Sequence, residues 1–427
     1  MNIENLHQLF LNCKSLTTDT RKIDDNYMFF ALKGENFDAN TFAKEALERG
    51  AAYVIIDNND YYIDKRTVLV KDSLKTLQKL AKYHRNYLNL PIIALTGSNG
   101  KTTTKELIYA ILSKKYNVKA TVGNLNNHIG VPLTLLSFDK SIEMGIVEMG
   151  ANHQKEIEFL CDIAQPDYGY ITNFGKAHLE GFGGFEGVIK GKSEMYNFLK
   201  TSSKKVFINL DDAIQVEKSK SIARYSFSTI DINADVFISD SKANPFVSVT
   251  YKNLKIQSQL VGIYNATNIH AAITVGNYFK VTDDLIKNAI ENYNPTNNRS
   301  QLSLKGSNKL IMDAYNANPS SMSVALANFI QLAEPNKIAF LGDMFELGND
   351  SYQEHKKLVE SLKNNSEIEF YFVGQEFHKV ETNQINFKFF STFTELKEHL
   401  SQMKFEKKYI LIKGSRGMAL ERIVELL

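Results

Sequence analysis

A glycine-rich run at residues 94–104 has the residue types of a phosphate-binding loop. It reads ALTGSNGKTTT and contains the G-K-[ST] that ends the pattern G-x-x-x-x-G-K-[ST]. In that pattern backbone N–H groups surround phosphate oxygens, Lys meets the terminal phosphates and Ser or Thr ligates Mg²⁺. Leu95 stands where the leading glycine should be, so the loop is shorter. A glycine-rich turn is the alternative, but Lys-Thr at the start of a helix favours an anion site. The candidate phosphate contacts are Gly97, Ser98, Asn99, Gly100, Lys101, Thr102 and Thr103.

Strand-like and helical patterns alternate along the chain and place this loop between a strand and a helix. KELIYAILSKKY, which follows the loop, has helical periodicity. The strand-like apolar runs read YMFFAL, AAYVIID, PIIALT, MGIVEMG, YGYITN, KVFINL, KIAFLGD, FYFVG and YILIKG. Such alternation predicts an α/β fold with mainly parallel sheets. Residues 223–260 differ, and their short alternating runs predict an antiparallel patch within the middle domain.

Length and composition predict a multidomain protein of the cytoplasm. The 427 residues suggest two or three domains, and Pro91 and Pro295 place the boundaries at 1–90, 91–294 and 295–427. The net charge of +2 gives no case for nucleic acid or an anionic membrane as a partner. Two cysteines indicate a reducing compartment. We expect no signal peptide and no membrane span, because no apolar run is long enough.

Two polar runs after the loop could hold a substrate or a metal ion. The first, TVGNLNNHIGVPLTLL, contains Asn124, Asn126 and Asn127. Asparagines in a loop more often form turns. The second, GIVEMGANHQKEI, ends an apolar strand with Glu148. A carboxylate at the carboxyl end of a parallel strand can hold Mg²⁺ beside a phosphate loop, although a salt bridge is an equal alternative.

A third run combines a histidine, several glycines and two lysines on a predicted helix. It reads NFGKAHLEGFGGFEGVIKGKSEMY and contains His178, Lys190 and Lys192. Taken singly, the histidine would be structural or exposed and each lysine would be solvated. These three residues indicate a site only in combination with the loop and Glu148.

Together with other motifs, these runs resemble the Mur ligases in content and order. The motifs are TGSNGKTTT, GNLNNHIGVPLTLL, VEMGANHQKEI, AHLEGFG, GVIKGKSEMY, GIYNATNIHAA, DAYNANPSSM, GDMFELG and LIKGSR, after DTRKIDDNYMFFALKGENFDANTFAKEALERGA. The resemblance spans essentially the whole chain, and the family's short loop accounts for the missing glycine. It implies a small α/β N-terminal domain that binds a UDP-sugar, a central P-loop ATPase-like domain and a C-terminal Rossmann-like α/β domain.

The resemblance also implies a reaction. In the Mur ligases ATP phosphorylates a carboxylate of a UDP-linked muramoyl peptide, and an amine attacks the acyl phosphate. YNANP with GDMFELG is similar to the members that add D-alanyl-D-alanine to UDP-N-acetylmuramoyl-tripeptide in peptidoglycan precursor synthesis, and the DNPR of the diaminopimelate-adding members is absent. We expect a monomer. The tripeptide's third residue stays open between diaminopimelate and lysine. The alternatives are another Mur-type or folylpolyglutamate-type ligase, or a nucleotide-switch ATPase.

Roles for individual residues follow from the resemblance alone. Lys101 would neutralise the β- and γ-phosphates, Thr102 would hold one Mg²⁺ and His178 a second. Glu148 would bind the first ion or lie between the two. Lys192, rather than Lys190, would be carbamylated by CO₂ into an anionic metal ligand.

The expected nucleotide contacts are Asn268 at the base, Asp313 near the ribose and Arg299 at the phosphates after domain closure. The expected UDP-sugar contacts are Thr20, Arg21, Lys33, Gly34, Asp38 and Asn40, and those to the muramoyl end are Asn124, Asn126 and Asn127. Candidates for D-alanyl-D-alanine or phosphate are Asn316, Asn318, Asp343, Lys413, Ser415 and Arg416, the last with Asp343 or Glu346 as alternative partners.

Overall fold

The first sheet of the chain is small and entirely parallel. A computed structural model describes residues 1–295 and 299–427. In spatial order the strands of this sheet are Ser15–Thr17, Tyr27–Phe30, Ala51–Ile56 and Thr67–Leu69. A hairpin of Lys33–Gly34 and Phe37–Asp38 lies beside it, and its helices are Ile3–Leu11, Ala43–Glu48 and Ser73–Leu88. The last helix also packs on the next domain, so it joins the two cores.

The central sheet has nine strands and carries the phosphate loop. In spatial order they are Leu254–Val261, Phe246–Tyr251, Val236–Ala243, Ala223–Ser228, Lys205–Asn209, Tyr168–Ile171, Ile92–Thr96, Met144–Glu148 and Val118–Ala120. The first three pair antiparallel and all other neighbours pair parallel. Its helices are Lys101–Leu112, Gly130–Leu136, Glu156–Ala164, Leu179–Phe182, Phe185–Thr201, Ala213–Lys218, Ala266–Tyr278 and Asp283–Glu291.

The antiparallel patch predicted for residues 223–260 is therefore wrong for its first strand. Ala223–Ser228 pairs parallel with Lys205–Asn209, because the helix Ala213–Lys218 returns the chain to the starting edge of the sheet. Only the last three strands of this stretch, from Val236 onward, pair antiparallel with one another.

The third sheet has six strands and forms the C-terminal domain. In spatial order they are Gln301–Lys305, Asn308–Asp313, Tyr409–Lys413, Lys337–Gly342, Glu369–Val373 and Phe387–Phe390. Only the first pair is antiparallel. The helices are Pro319–Gln331, Ser351–Leu362, Gln375–His378 and Phe393–Leu400. The 3₁₀ turns of the chain are Thr20–Lys22, Ala39–Phe42, Asn59–Tyr61, Ile263–Asn265, Gly348–Asp350, Arg416–Met418 and Leu420–Leu426.

The predicted α/β class with mainly parallel sheets is confirmed, and each of the nine apolar runs contains a strand. Outside the nine runs and the 223–260 stretch, five strands lie at sheet edges: Ser15–Thr17, Thr67–Leu69, Val118–Ala120, Gln301–Lys305 and Phe387–Phe390. The others are the two short strands of the hairpin and Asn308–Asp313, which lies inside the C-terminal sheet. An edge strand is covered less completely than a central one, so its sequence needs less apolar character. In the described ranges we find no helix long and apolar enough to cross a membrane.

Strand register brings the carboxyl ends of three central strands together. Leu95 pairs with Glu148 on one side and with Tyr170 on the other. All three strands run parallel, so the segments that leave them emerge side by side. The phosphate loop, the carboxylate of Glu148 and the stretch after Ile171 therefore meet at one edge of the sheet.

Candidate active site

A cavity of about 760 Å³ lies where the central and C-terminal domains meet at this edge. The predicted site residues that line it are Ser98, Asn99, Gly100, Lys101, Thr102, Thr103, Asn124, Asn126, Asn127, Glu148, His178, Asn268, Arg299, Asp313, Asn316, Asn318 and Lys413. Its size suits a nucleotide-sized ligand together with part of a second one. Residues that the sequence separates by more than 300 positions, such as Ser98 and Lys413, thus share one cavity.

Hydrogen bonds to the segment that follows the strand Tyr168–Ile171 fix the phosphate loop. The hydroxyl of Ser98 donates to the carbonyl of Gly175 (2.7 Å), and the N–H of Asn99 donates to Oδ1 of Asn173 (3.1 Å). Lys101 Nζ donates to the carbonyl of Gly97 (2.7 Å). Burial lowers the pKa of Lys101 below its usual value, while the nearby carboxylate acts in the opposite direction. A half-buried lysine at the start of a helix is a site for an anion.

Replacing Gly97 by alanine should destabilise the fold and weaken nucleotide binding. Gly97 has a φ of +141°, and a Cβ there would lie 2.0 Å from Oγ1 of Thr172. We expect a loss of about 3 kcal/mol in the free energy of unfolding, from backbone strain plus overpacking. Gly123→Ala is the control, because Gly123 has a φ of +58° with nothing within 4 Å; it should lose only about 1 kcal/mol. Urea unfolding measures the free energy of unfolding of both variants, and equal losses would contradict the predicted clash.

Glu148 forms a buried oxygen-rich group with two polar neighbours. Its side chain is only 2% exposed. Oε2 accepts a hydrogen bond from the hydroxyl of Thr102 (2.8 Å), and Oε1 accepts one from Nδ2 of Asn126 (2.9 Å). Across the part of the chain that the structure describes, no cluster of three or more His, Cys, Asp and Glu side chains could hold a metal ion. A carboxylate and a hydroxyl oxygen nevertheless suit Mg²⁺, which keeps waters and substrate phosphates as its other ligands.

Lys192 lies behind the cavity wall, whereas Lys190 is exposed. The side chain of Lys192 is 0% exposed, and its Nζ donates to the carbonyl of Ala151 (3.2 Å). Burial, with the positive charge of Lys101 as a further cause, lowers the pKa of Lys192 well below its usual value. A neutral amine is the form that reacts with CO₂. A lowered pKa favours that form, and the carbamylation of Lys192 stays a prediction.

His178 connects the central domain to the C-terminal one. It adopts a left-handed backbone conformation, and its Nδ1 hydrogen-bonds to the carboxylate of Glu346. The pKa of Glu346 is lowered, chiefly by its hydrogen bond to His178. Whether this imidazole binds a second Mg²⁺ stays a prediction.

The predicted nucleotide contacts lie on the side of the cavity near the interdomain linker. The hydroxyl of Thr104 donates to Oδ1 of Asn268 (3.0 Å), and Nδ2 of Asn268 donates to Oδ1 of Asn265 (2.8 Å). This carboxamide therefore braces the helix after the phosphate loop, and its base contact stays a prediction. The guanidinium of Arg299 lies 3.8 Å from the ring centroid of Tyr315. Such stacking leaves the edge of the guanidinium free to face the cavity.

The C-terminal candidates divide into two groups. Lys413 and Asp313 form a buried ion pair at 2.6 Å on the cavity wall, where Asn316 also lies. Asn318 lines the cavity too, whereas Asp343, Ser415 and Arg416 do not. Arg416 is exposed, and its guanidinium lies 5.8 Å from the ring centroid of the cavity residue Tyr315. Asp343 accepts the N–H groups of Glu376 (3.0 Å) and Phe377 (2.9 Å), which caps a short helix. Ser415 Oγ accepts the N–H of Phe345 (2.9 Å), and Arg416 pairs with Glu421 (3.0 Å). The alternative partners predicted for Arg416, Asp343 or Glu346, are therefore wrong.

The predicted UDP-sugar contacts lie in the N-terminal domain, around two features. Thr20 and Arg21 line a second cavity of about 400 Å³, and Asp19 pairs with Arg21 at 2.9 Å. The remaining contacts belong to the hairpin and its surroundings, where Lys33 pairs with Asp57 (2.9 Å) and Gly34 is exposed. The buried Asn40 donates to Asp38 (2.6 Å) and to Asp57 (2.9 Å). Their role in binding stays a prediction.

Polar contacts hold the C-terminal domain against the central one, and Lys176, Ser320 and Glu354 among them were not singled out by the motifs. Nδ2 of Asn318 donates to Oδ1 of Asn99 (2.7 Å). The N–H of Lys176 donates to Oγ of Ser320 (2.9 Å), and its Nζ pairs with Glu354 (2.6 Å). Lys176 stands two positions before His178 in a run already assigned to the site, which is the one signal that pointed to it.

Comparison with known proteins identifies the family. A model of the Mur ligase middle domain matches residues 95–276, and a model of the Mur ligase glutamate ligase domain matches residues 298–416. The UDP-N-acetylmuramoyl-tripeptide–D-alanyl-D-alanine ligase of Bacillus subtilis is 34% identical and covers 96% of this chain and 92% of its own length. The chain belongs to the Mur ligase family.

Other Mur ligases extend this likeness. The Escherichia coli enzyme of the same name is 33% identical over 97% of this chain and 93% of its own. A crystal structure of MurF from Acinetobacter baumannii superposes with a TM-score of 0.87 at 30% identity, covering 99% of this chain and 98% of that one. MurF ligase from Thermotoga maritima, in complex with ADP, gives a TM-score of 0.85 at 26% identity, covering 98% and 97%.

Proposed function

We propose that this Mur ligase joins D-alanyl-D-alanine to UDP-N-acetylmuramoyl-tripeptide with hydrolysis of ATP to ADP and phosphate. The observation that carries the proposal is the shared cavity, in which phosphate-loop residues face Asp313, Asn316 and Lys413 of the last domain. Two substrates must meet at one reacting atom, and a cavity between two domains provides that meeting place. The full-length similarity to enzymes of this name supports the choice of substrates.

In the first step the tripeptide carboxylate becomes an acyl phosphate. A carboxylate oxygen attacks the γ-phosphorus, the bond from that phosphorus to the β,γ-bridging oxygen breaks, and ADP leaves. Lys101, which lines the cavity, would neutralise charge on the β- and γ-phosphates, and the loop N–H groups would hold their oxygens. Arg299 adds a second positive charge from the linker side of the cavity. Positioning and charge neutralisation carry most of this step.

In the second step the amine of the dipeptide attacks the acyl carbon. The bond from carbon to the phosphate oxygen then breaks, phosphate leaves, and the nitrogen gives up a proton. The ion pair of Lys413 with Asp313 and the amide of Asn316 are the polar groups that the last domain offers here. Docked domains exclude water, which would otherwise hydrolyse the acyl phosphate.

Thr102 and Glu148 would hold one Mg²⁺, and His178 with carbamylated Lys192 a second. Mg²⁺ there would neutralise charge on the phosphates and orient the reacting carboxylate. The neutral Nζ of Lys192 attacks the carbon of CO₂ and loses a proton, which gives the side chain an anionic oxygen. The side chain of Lys192 is fully buried, and its Nζ donates to the carbonyl of Ala151 rather than to a carboxylate. Carbamylation would account for a lysine in that setting.

The N-terminal domain would bind the UDP-sugar end of the precursor. Its cavity combines aromatic walls, from Phe29, Phe37 and Phe42, with Thr20 and Arg21. Aromatic faces and a cation suit a base and a diphosphate. We further propose that the protein acts as a monomer in the cytoplasm, in keeping with its two free cysteines.

Phosphate release tests the function directly. The purified protein is given ATP and Mg²⁺ with each peptide substrate alone and then with both, and the products are weighed by mass spectrometry. We expect a UDP-muramoyl pentapeptide only when both substrates are present. Phosphate release indifferent to both would overturn the proposal and favour a nucleotide switch. A product with a different amino acid would identify another ligase.

A further inference from the structure

Asn318 uses the two ends of its side chain in two domains. Its Oδ1 accepts the N–H of Ser321 (2.9 Å) and so caps the helix Pro319–Gln331. Its Nδ2 donates to Oδ1 of Asn99 in the phosphate loop (2.7 Å). The side chain is only 6% exposed, so water competes little for either bond. The helix cap alone would leave Nδ2 without a role.

Asn99 is fixed on its other side to the central sheet. Its N–H donates to Oδ1 of Asn173 (3.1 Å), and its carbonyl accepts Nδ2 of Asn173 (3.0 Å) and the hydroxyl of Thr172 (2.5 Å). The backbone of Asn99 thus belongs to the central domain, while its side chain reaches the last domain. The next residues, Gly100 and Lys101, line the cavity in which the proposed phosphates would bind.

We propose that Asn318 is a positioning residue that couples docking of the C-terminal domain to the shape of the phosphate loop. The Asn318–Asn99 bond holds the loop when the last domain is docked, and it is lost when the domain swings away. By reciprocity, a loop ordered by nucleotide favours docking. The loop and the dipeptide-binding face are then assembled together. The kinetic part of this inference rests on the proposed function, whereas the structural part does not.

Two substitutions separate the interdomain bond from the helix cap. Asn318→Ser keeps a good N-cap but is too short to reach Asn99, and Asn318→Ala loses both contacts. We expect kcat to fall about tenfold in both variants, the effect of one buried hydrogen bond. The melting temperature should fall only in Asn318→Ala. If Asn318 were only a helix cap, Asn318→Ser would match wild type in both measurements, which would overturn the proposal.

A double variant tests the partner. In Asn99→Ala the bond is already lost, so adding Asn318→Ser should lower kcat no further. A further loss equal to that of the single Asn318→Ser variant would contradict the assignment of Asn99.

Hydrogen exchange tests the coupling without any peptide substrate. Docking brings the N–H of Lys176 onto Oγ of Ser320 (2.9 Å), so this amide is protected only while the last domain is docked. With an ATP analogue, residues 172–178 should exchange faster in Asn318→Ser than in wild type. Unchanged exchange would overturn the coupling even if the ligase reaction is confirmed. Faster exchange would uphold it even if the substrates prove different.

Discussion

Lys192→Ala should lose catalytic activity by about 10²–10³-fold, the scale on which loss of one preorganised charged group reduces kcat. The side chain is 0% exposed and its pKa lies well below the usual value because of burial. As proposed, this amine reacts with CO₂ to give the anionic oxygen ligand that Mg²⁺ prefers and that an unmodified lysine cannot provide. Excess bicarbonate should not restore activity, because free bicarbonate is not tethered at the position of the side chain.

Lys190→Ala is the matched control for this prediction. Lys190 lies on the same helix, Phe185–Thr201, but is exposed. Its removal should leave both kcat and the melting temperature unchanged. A carbonyl resonance from ¹³C-labelled bicarbonate should appear in wild type and in Lys190→Ala, and should be absent from Lys192→Ala. A fully active Lys192→Ala variant would rule out the carbamate.

The choice between these lysines illustrates what sequence and physics each provide. Residues that are two positions apart in a helix are separated by about 200° around its axis, so the side chains of Lys190 and Lys192 must face opposite ways. Periodicity therefore shows that only one can be buried, and the resemblance to the family selected Lys192. In the structure Lys192 is the buried one, and its carbamylation stays a prediction.

The grouping of the catalytic candidates in the central domain was predictable from parallel strands. Strands that contain Thr96, Glu148 and Ile171 run in one direction, so the polar segments that follow them meet at one edge. The sequence showed each segment, and the fold class predicted their meeting. The order of the strands was not needed for that conclusion.

The docking of the last domain was not predictable from local patterns. Asn99 and Asn318 are separated by 219 positions, and asparagine in a loop is a common turn residue. The pairing arises from the relative placement of two sheets, which no hydrophobic period encodes. Asp343 and Arg416 make local contacts within the C-terminal domain, and their role at the site stays a prediction.

Glu148→Gln should lower kcat/KM by about 10²–10³-fold while leaving the protein folded. In the wild-type protein the Glu148 carboxylate accepts hydrogen bonds from Thr102 and from Asn126. In the variant, the glutamine oxygen can still accept from Asn126 and its NH₂ can donate to the hydroxyl of Thr102. The hydrogen bonds are preserved, and only the negative charge is removed. In the proposed site this charge helps to hold Mg²⁺, so the variant should require a higher Mg²⁺ concentration for half-maximal activity.

Glu143→Gln is the control for the Glu148 experiment, because Glu143 stands just before the same strand, Met144–Glu148, and is exposed. Its carboxylate accepts only the N–H of Asn117 (2.7 Å) among the bonds described for it, far from the cavity lining. The Mg²⁺ titration of this variant should overlay that of wild type. If Glu148→Gln also overlaid it, Glu148 would be a structural acceptor for Thr102 and Asn126, and the metal would have to bind through other oxygens of the cavity.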